Sequence, residues 1–203
     1  MPQVDNLDER IGALIIAKID EQSVLSPEFP IWKYFRILDD SDCERMIEIF
    51  EWRYRFWILQ FAERLSYDPD GGFAVLVLLN AYFDMIAQLH GHKWGKALDE
   101  GLKLVFPELE SEETVRKKLG HDLRAAIAHM GITTNIILQR GFSDPIVWGK
   151  YRGNQTTIVI NPHLMLTHIR AHFDKYIASL RDPSPENDEK RRAFLKRIRK
   201  PAS

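Results

Sequence analysis

The segment HDLRAAIAHMG, from His121 to Gly131, decides how the rest of the chain can be arranged. Its spacing predicts the end of an amphipathic α-helix, because apolar residues recur on one face at about 100° per residue. The opposite face has Ala125 and Ala128 at its centre and Arg124 and His129 at its edges. The segment therefore predicts a helix with one buried face and a shallow alanine floor between two polar side chains. The residues of the buried face are Leu119, Leu123, Ile127 and Met130.

Arg124 and His129 are separated by roughly 140° around such a helix, so they flank the alanine floor and do not stack on each other. A guanidinium stays charged and can bind phosphate oxygens through two parallel N–H groups. An imidazole can accept or release a proton near neutral pH. The pair suits an anionic ligand that requires proton transfer. On the residues alone, a surface pair or a histidine at an interface is the commoner explanation.

The spacing Arg124-x4-His129, on a helix that follows a helical hairpin, resembles the Arg-x(4–6)-His motif of the HEPN superfamily. The likeness covers approximately residues 41–181. It implies a small α-helical protein, and many members are metal-independent endoribonucleases that act as toxins or in phage defence. It also implies a homodimer in which two motif helices form one composite cleft. Active members usually carry a polar residue directly after the arginine, whereas this chain has Ala125.

The resemblance implies that His129 transfers a proton during RNA cleavage, while Arg124 orients the scissile phosphate and stabilises its developing charge. Attack by the ribose 2′-hydroxyl would then leave a 2′,3′-cyclic phosphate. His121 and Asp122 are secondary candidates, since Asp122 lies about two helical turns before His129 on nearly the same side. Gly120 lies inside the predicted helix, where a bend could turn His121 and Asp122 toward the site.

Two further classes of function stay open. In the first, the same groove binds RNA or a nucleotide without cutting it, as inactive HEPN proteins do. In the second, the chain is a dimeric interaction module, for instance one half of a toxin–antitoxin or defence pair with an antitoxin-like protein partner.

Hydrophobic periodicity along the whole chain predicts a mainly α fold. We expect a bundle of five to six helices, with a small β-hairpin at about residues 146–160 before the C-terminal helix. The predicted organisation is an N-terminal extension (1–38), a HEPN-like helical domain (39–181) and a basic C-terminal tail (182–203).

Local signals place the individual helices. The segment Phe73–Leu89 is apolar on almost every face at first, which is typical of the central helix of a bundle. Ser111 is the predicted N-cap of the motif helix, and Asn161 followed by Pro162 predicts the start of the last domain helix. The cluster from Asp39 to Asp42 predicts the N-cap of a long helix that ends near residue 65.

Composition excludes several classes of protein. The net charge of −1 argues against a chain that coats nucleic acid through its overall charge. The single cysteine, Cys43, excludes an internal disulfide and a cysteine-rich zinc site. The polar, acidic first ten residues predict no signal peptide, and the apolar run Phe73–Leu79 is shorter than the ~20 residues of a membrane span. We therefore expect a cytoplasmic protein without a membrane partner and without a cofactor.

Three other patterns allow two interpretations each. Aromatic and arginine residues alternate between positions 46 and 65, which favours a core face with a solvated face over nucleic-acid stacking. The pair His168 and His172 favours a surface position over a metal site. The tail from residue 181 holds eight basic and four acidic residues. Attraction of RNA and a merely solubilising helix are equally compatible with that composition.

Overall fold

The computed structural model describes residues 43–93, 96–125, 136–151 and 155–198. The predicted N-terminal extension and the N-cap cluster at Asp39 to Asp42 lie outside the described residues. The second half of the motif, including Ile127, His129 and Met130, lies outside them as well.

The chain folds into a mainly α-helical structure with a small sheet before its C-terminal helices, as predicted. A π-helical segment, Arg55–Leu59, joins the first two helices into one continuous helix. Counting these two as one, the described residues form six helices. In chain order the helices are α1 (Cys43–Tyr54), α2 (Gln60–Ser66), α3 (Gly72–Leu89), α4 (Ala97–Val105), α5 (Glu113–Ala125), α6 (Pro162–Arg181) and α7 (Asp188–Ile198).

The predicted hairpin is confirmed and belongs to a sheet of three strands. Strands β2 (Ile146–Tyr151) and β3 (Gln155–Ile160) pair antiparallel, with Ile146 opposite Ile160. A short strand that the sequence analysis did not identify, β1 (Ile136–Leu138), pairs parallel with β3 on its other side. With only three residues and no adjacent pairing partner in the sequence, β1 forms through its tertiary contact with β3.

Helix α3 occupies the centre of the bundle, as its apolar sequence predicts, and packs against α2, α4, α5, α6 and α7, while its Tyr82 ring contacts Tyr54 of α1. It is long and apolar enough to cross a bilayer by length and composition alone, the one such helix among the described residues. Half of its apolar window is nevertheless buried inside the fold, which is typical of the core helix of a globular bundle. Its buried residues are Val75, Leu76, Leu79, Tyr82, Phe83, Ile86, Ala87 and Leu89.

Phe173 of α6 is the aromatic centre of this core and is fully buried. Its ring lies 4.8 Å from that of Tyr54 in α1 and 6.3 Å from that of Tyr82 in α3, measured between centroids. Phe50 of α1 extends the cluster to Phe194 of α7 at 5.3 Å. Contacts of this kind fix four helices around one another.

The basic tail is part of this packing. Residues 188–198 form α7, and Phe194 in that helix has no exposed surface. Arg197 donates a hydrogen bond to the Gln88 side chain, which links the C-terminal helix to α3. The tail therefore contributes to the core through one face and presents its basic residues on the other.

The two predicted helix starts, at Asn161 and at Ser111, have different outcomes. Asn161 caps α6, because its side-chain oxygen accepts hydrogen bonds from the backbone N–H groups of His163 and Leu164. The predicted cap at Ser111 is wrong, since α5 begins at Glu113 and Glu112 occupies the capping position. The tight turn after Pro107–Leu109 displaces the start by one residue, because Glu112 N–H bonds to the Leu109 carbonyl.

Gly101 sets the spacing between α3 and α4. A methyl group at this position would lie 2.0 Å from the carbonyl oxygen of Phe83, so only glycine permits the observed approach of the two helices. Gly120 of α5 is different, since its nearest neighbour would be the flexible Leu98 side chain at 3.4 Å. Helix α5 continues through Gly120, where the sequence allowed a bend.

These two glycines form a matched pair for a stability test. We expect Gly101→Ala to lower the free energy of unfolding by about 2–3 kcal/mol, because the backbone of α3 must move away. We expect Gly120→Ala to raise it by about 0.5–1 kcal/mol, because alanine favours the helix and fits the available space. Urea unfolding of both variants measures the two effects, and equal destabilisation would contradict the described packing.

The histidine patterns are structural. His90 is the C-cap of α3 and Gly91 follows with φ +87°, a left-handed conformation that favours glycine. The predicted surface position is confirmed for His168, which is exposed, whereas His172 is half-buried. His172 Nδ1 lies 2.6 Å from the Tyr82 hydroxyl, and His168 Nε2 lies 3.0 Å from the Val105 carbonyl oxygen.

Burial, and after it the neighbouring His90 and His168, lower the pKa of His172 to about 4. A histidine whose pKa is lower in the folded than in the unfolded chain stabilises the fold when it is neutral. This contribution is complete above the unfolded pKa of 6.5 and is lost as the pH falls toward the folded value.

We expect acidification from about pH 7 to about pH 4.5 to remove about 2 kcal/mol of stability through His172. The variant His172→Gln cannot titrate, so its free energy of unfolding should fall less over the same range. Urea unfolding across the pH range measures both curves. Parallel curves for the two proteins would show that His172 does not carry this dependence.

Candidate functional site

The motif helix α5 lies at the edge of the bundle, and buried cations hold it there. Arg116 is 5 % exposed; its Nε donates to Asp99 of α4 at 2.9 Å, and its Nη1 donates to the carbonyls of Leu109 and Glu110. Lys118 donates to the carbonyl of Thr156 at the beginning of β3. The helix is thus tied to α4 on one side and to the sheet on the other.

The predicted core face of α5 is confirmed as far as the structure describes it. Leu119 is fully buried and Leu123 is 2 % exposed. The backbone of Arg124 and Ala125 belongs to the last turn of this helix. Since His129 lies outside the described residues, the juxtaposition of Arg124 and His129 stays a prediction.

The two secondary candidates form a contact pair with opposite environments. The side chain of His121 is 79 % exposed, whereas that of Asp122 is 7 % exposed. His121 Nδ1 lies 3.2 Å from Asp122 Oδ1. Successive residues project about 100° apart on a helix, so one side chain can face solvent while the next faces the interior.

This pair has the arrangement that prepares an imidazole for proton transfer. A carboxylate can only accept, so the Nδ1–H group of His121 donates to Asp122. In a neutral ring the lone pair then lies on Nε2, at the exposed end of the side chain. The contact therefore fixes the tautomer and leaves Nε2 directed away from its carboxylate partner, toward solvent.

The second carboxylate oxygen of Asp122 is buried and has no hydrogen-bond partner among the described residues. A buried polar atom without a partner costs about 1–3 kcal/mol of stability. Such a cost is tolerated most often at sites with a function. Spacing along the helix predicts Asp122 beside the motif. The burial of its side chain depends on packing against the bundle, so the local sequence pattern does not indicate it.

Spacing relates this pair to the predicted motif. His121 and Arg124 are three positions apart, so they are neighbours on the same helix surface. Ala125 follows His121 by four positions, which places the beginning of the alanine floor on that surface too. Helix spacing thus predicts an imidazole, a guanidinium and a small residue on one face of the motif helix.

The alternation of aromatic and arginine residues in α1 and α2 has two components. Phe50 and Tyr54 belong to the core cluster, as the favoured interpretation predicts. Phe56 and Phe61 are 38 % and 50 % exposed, and the guanidinium of the exposed Arg64 lies 5.8 Å from the centre of the Phe61 ring. This continuous helix therefore carries an exposed aromatic and arginine surface.

Within the described ranges, no group of three or more histidine, cysteine, aspartate or glutamate side chains could hold a metal ion. His168 and His172 instead bond to the neighbouring helices, as described above.

Comparison of the chain with protein-family models, with curated proteins and with solved structures found no match. The functional argument therefore depends on the motif, on the helix that carries it and on the chemistry of the His121–Asp122 pair.

A substitution of Asp122 tests how much folding stability the buried carboxylate costs. We expect Asp122→Asn to raise the free energy of unfolding by about 1 kcal/mol, because a neutral amide is buried more easily than a carboxylate with an unpaired oxygen. Urea unfolding measures the change. A loss of stability of similar size would instead indicate that the carboxylate has a partner beyond the described residues.

Proposed function

We propose that the protein is a metal-independent endoribonuclease of the HEPN type, with Arg124 and His129 as its central catalytic residues. The observation that carries the proposal is the contact of His121, exposed and three positions before Arg124, with the buried Asp122 carboxylate on the motif helix. A histidine held by a buried carboxylate supplies the proton-transfer chemistry that the cleavage requires.

Cleavage of RNA without a metal needs both a base and an acid. In the proposed reaction one imidazole removes the proton of the ribose 2′-hydroxyl, and the 2′-oxygen attacks the phosphorus. The bond from phosphorus to the 5′-oxygen breaks, and a second, protonated imidazole donates its proton to that oxygen. The products are a 2′,3′-cyclic phosphate and a free 5′-hydroxyl.

His129 and His121 are the two imidazoles in this scheme, and Asp122 is a positioning residue for His121. Arg124 binds the non-bridging phosphate oxygens and stabilises the negative charge that develops on them. This assignment gives each of the four predicted site residues a separate role.

We further propose that the protein acts as a homodimer in the cytoplasm, with RNA as its substrate and an antitoxin-like protein as its partner. The alanine residues of the motif favour a dimer, because small side chains let two helices approach closely. Ribonucleases of this type serve as toxins or in phage defence, and we propose the same role here.

A second candidate function is binding of RNA or a nucleotide without cleavage. Ala125 favours it, because active HEPN proteins usually carry a polar residue at that position. The exposed aromatic and arginine surface of α1 and α2 favours it as well, since bases stack on aromatic rings. A dimeric interaction module without RNA binding is the third candidate.

Incubation of the protein with single-stranded RNA in EDTA tests the first candidate. We expect cleavage products that end in a 2′,3′-cyclic phosphate. Arg124→Ala and His129→Ala should each lower the rate by about 100-fold or more, because they remove charge stabilisation and proton transfer. His121→Ala and Asp122→Asn should lower it by about tenfold or more and should change the pH profile of the rate.

Matched controls remove the same side chains elsewhere. Arg192→Ala changes an exposed arginine of α7, and His92→Ala changes an exposed histidine after α3. Both should cleave RNA at the wild-type rate. Cleavage that survives in Arg124→Ala and His129→Ala would refute the proposed mechanism.

The same assay separates the alternatives. RNA binding without cleavage supports the second candidate, and the absence of both supports the interaction module. Expression in a bacterial host adds a cellular measurement, in which toxicity relieved by His129→Ala would support a toxin.

A further inference from the structure

An open cleft of about 540 Å³ lies at the N-terminal end of α6, between three segments of the chain. The end of α2 with Tyr67, the loop between β1 and β2, and the start of α6 form its walls. None of its lining residues belongs to the motif helix α5. Clefts of roughly 300–1,000 Å³ are the usual size for small-molecule sites.

Asn161 holds two walls of this cleft together. Its side chain is 4 % exposed and uses both of its functional groups. The amide nitrogen donates to the carbonyls of Arg140 and Phe142, each at 3.0 Å, while the oxygen caps α6. One buried residue therefore fixes the loop that carries Arg140 and Phe142 against the helix that carries His163.

The cleft presents one cationic group that suits a phosphate. The exposed Arg140 donates to the Asp68 carbonyl through one terminal nitrogen, which leaves further N–H groups of the guanidinium for a ligand. His163, in the first turn of α6, lines the same cleft. The Asp68 carboxylate is engaged within its own turn, because its Oδ1 accepts a hydrogen bond from the Asp70 backbone at 2.8 Å.

The tautomer of His163 follows from its partner. The Ser66 hydroxyl donates to the Glu63 carbonyl at 2.8 Å and lies 3.4 Å from His163 Nδ1. Since the hydroxyl proton is already used, Nδ1–H must donate to the serine oxygen. The neutral ring then offers Nε2 as an acceptor for a hydroxyl group, such as that of a ribose.

The cleft also presents aromatic surface. Tyr67 is 70 % exposed and Phe142 is 39 % exposed, although both are large apolar side chains. The Tyr67 ring lies 6.4 Å from that of His163, measured between centroids, so the aromatic surface adjoins this imidazole. Aromatic faces beside a fixed cation are suited to a planar base attached to a phosphate.

We propose that this cleft binds one nucleoside monophosphate unit. The phosphate contacts the Arg140 guanidinium, the ribose contacts His163, and the base stacks on Tyr67 or Phe142. The unit can come from a free nucleotide or from the end of an RNA strand, because the chemistry of recognition is shared. This site goes beyond the proposed cleavage, since it uses no residue of α5.

Isothermal titration calorimetry of the full chain with AMP tests the site. We expect saturable binding in the micromolar to low millimolar range, tighter than that of adenosine or inorganic phosphate alone. Arg140→Ala should weaken it by about tenfold or more, and Arg140→Lys by less, because lysine keeps the charge and loses the fork. Tyr67→Ala should weaken AMP binding by about fivefold or more and leave phosphate binding unchanged.

Two sets of control variants show whether a loss of AMP binding is specific to the cleft. Arg192→Ala, in α7, should bind AMP as the wild type does. Arg124→Ala and His129→Ala should also retain AMP binding, so failure of the proposed cleavage and failure of this site can be distinguished. Competition by a 5′-phosphorylated oligonucleotide separates the sources, since tighter binding of the oligonucleotide identifies an RNA end and tighter binding of AMP identifies a free nucleotide.

Tyr67 keeps the proposal testable even if a change at Arg140 disturbs the loop, because its exposed ring can be removed without loss of core packing. Absence of AMP binding, or AMP binding that is equal in wild type and Tyr67→Ala, would overturn the proposal. Equal affinity for AMP and inorganic phosphate would also overturn it, because no base would then be recognised.

Discussion

The enclosure of α3 is the constraint on which the rest of the structure depends. Eight of its residues are buried, and the helix is too apolar to be stable with its faces in water. Helices α1, α2, α4, α5, α6 and α7 therefore pack against it, and the close approach at Gly101 brings α4 against the Phe83 carbonyl. Even the basic C-terminal segment takes part, because Phe194 fills a fully buried position.

This enclosure leaves the polar chemistry at the periphery. Helix α5 does not enter the centre of the bundle and is instead held by Arg116 and Lys118, which bond to α4 and to the sheet. The proposed catalytic face can consequently meet solvent while Asp122, on the inner side, remains buried. The cleft at the start of α6 is peripheral too, and a single buried residue, Asn161, holds its walls together. Both proposed sites thus combine a rigid, buried positioning residue with an exposed imidazole.

Much of the fold could be predicted from local patterns. The apolar sequence of α3, the β-prone runs of the hairpin and the Asn161-Pro162 start of α6 were sufficient, because each depends on interactions between nearby residues. The helix start at Glu113 and the strand Ile136–Leu138 were not predictable in this way. A tight turn at Leu109 displaces the first, and pairing with β3 about 20 residues away creates the second.

The same division applies to the candidate sites. The sequence by itself determined the helical class, the central helix and the amphipathic motif helix, since periodicity reports which face of an element must be buried. It also placed His121, Asp122 and Arg124 on one helix. Only the tertiary structure decided that Asp122 is buried with one oxygen unpaired among the described residues, and that Tyr67, Arg140 and His163 meet in one cleft. Burial and the convergence of distant segments depend on contacts between elements, which no local spacing encodes.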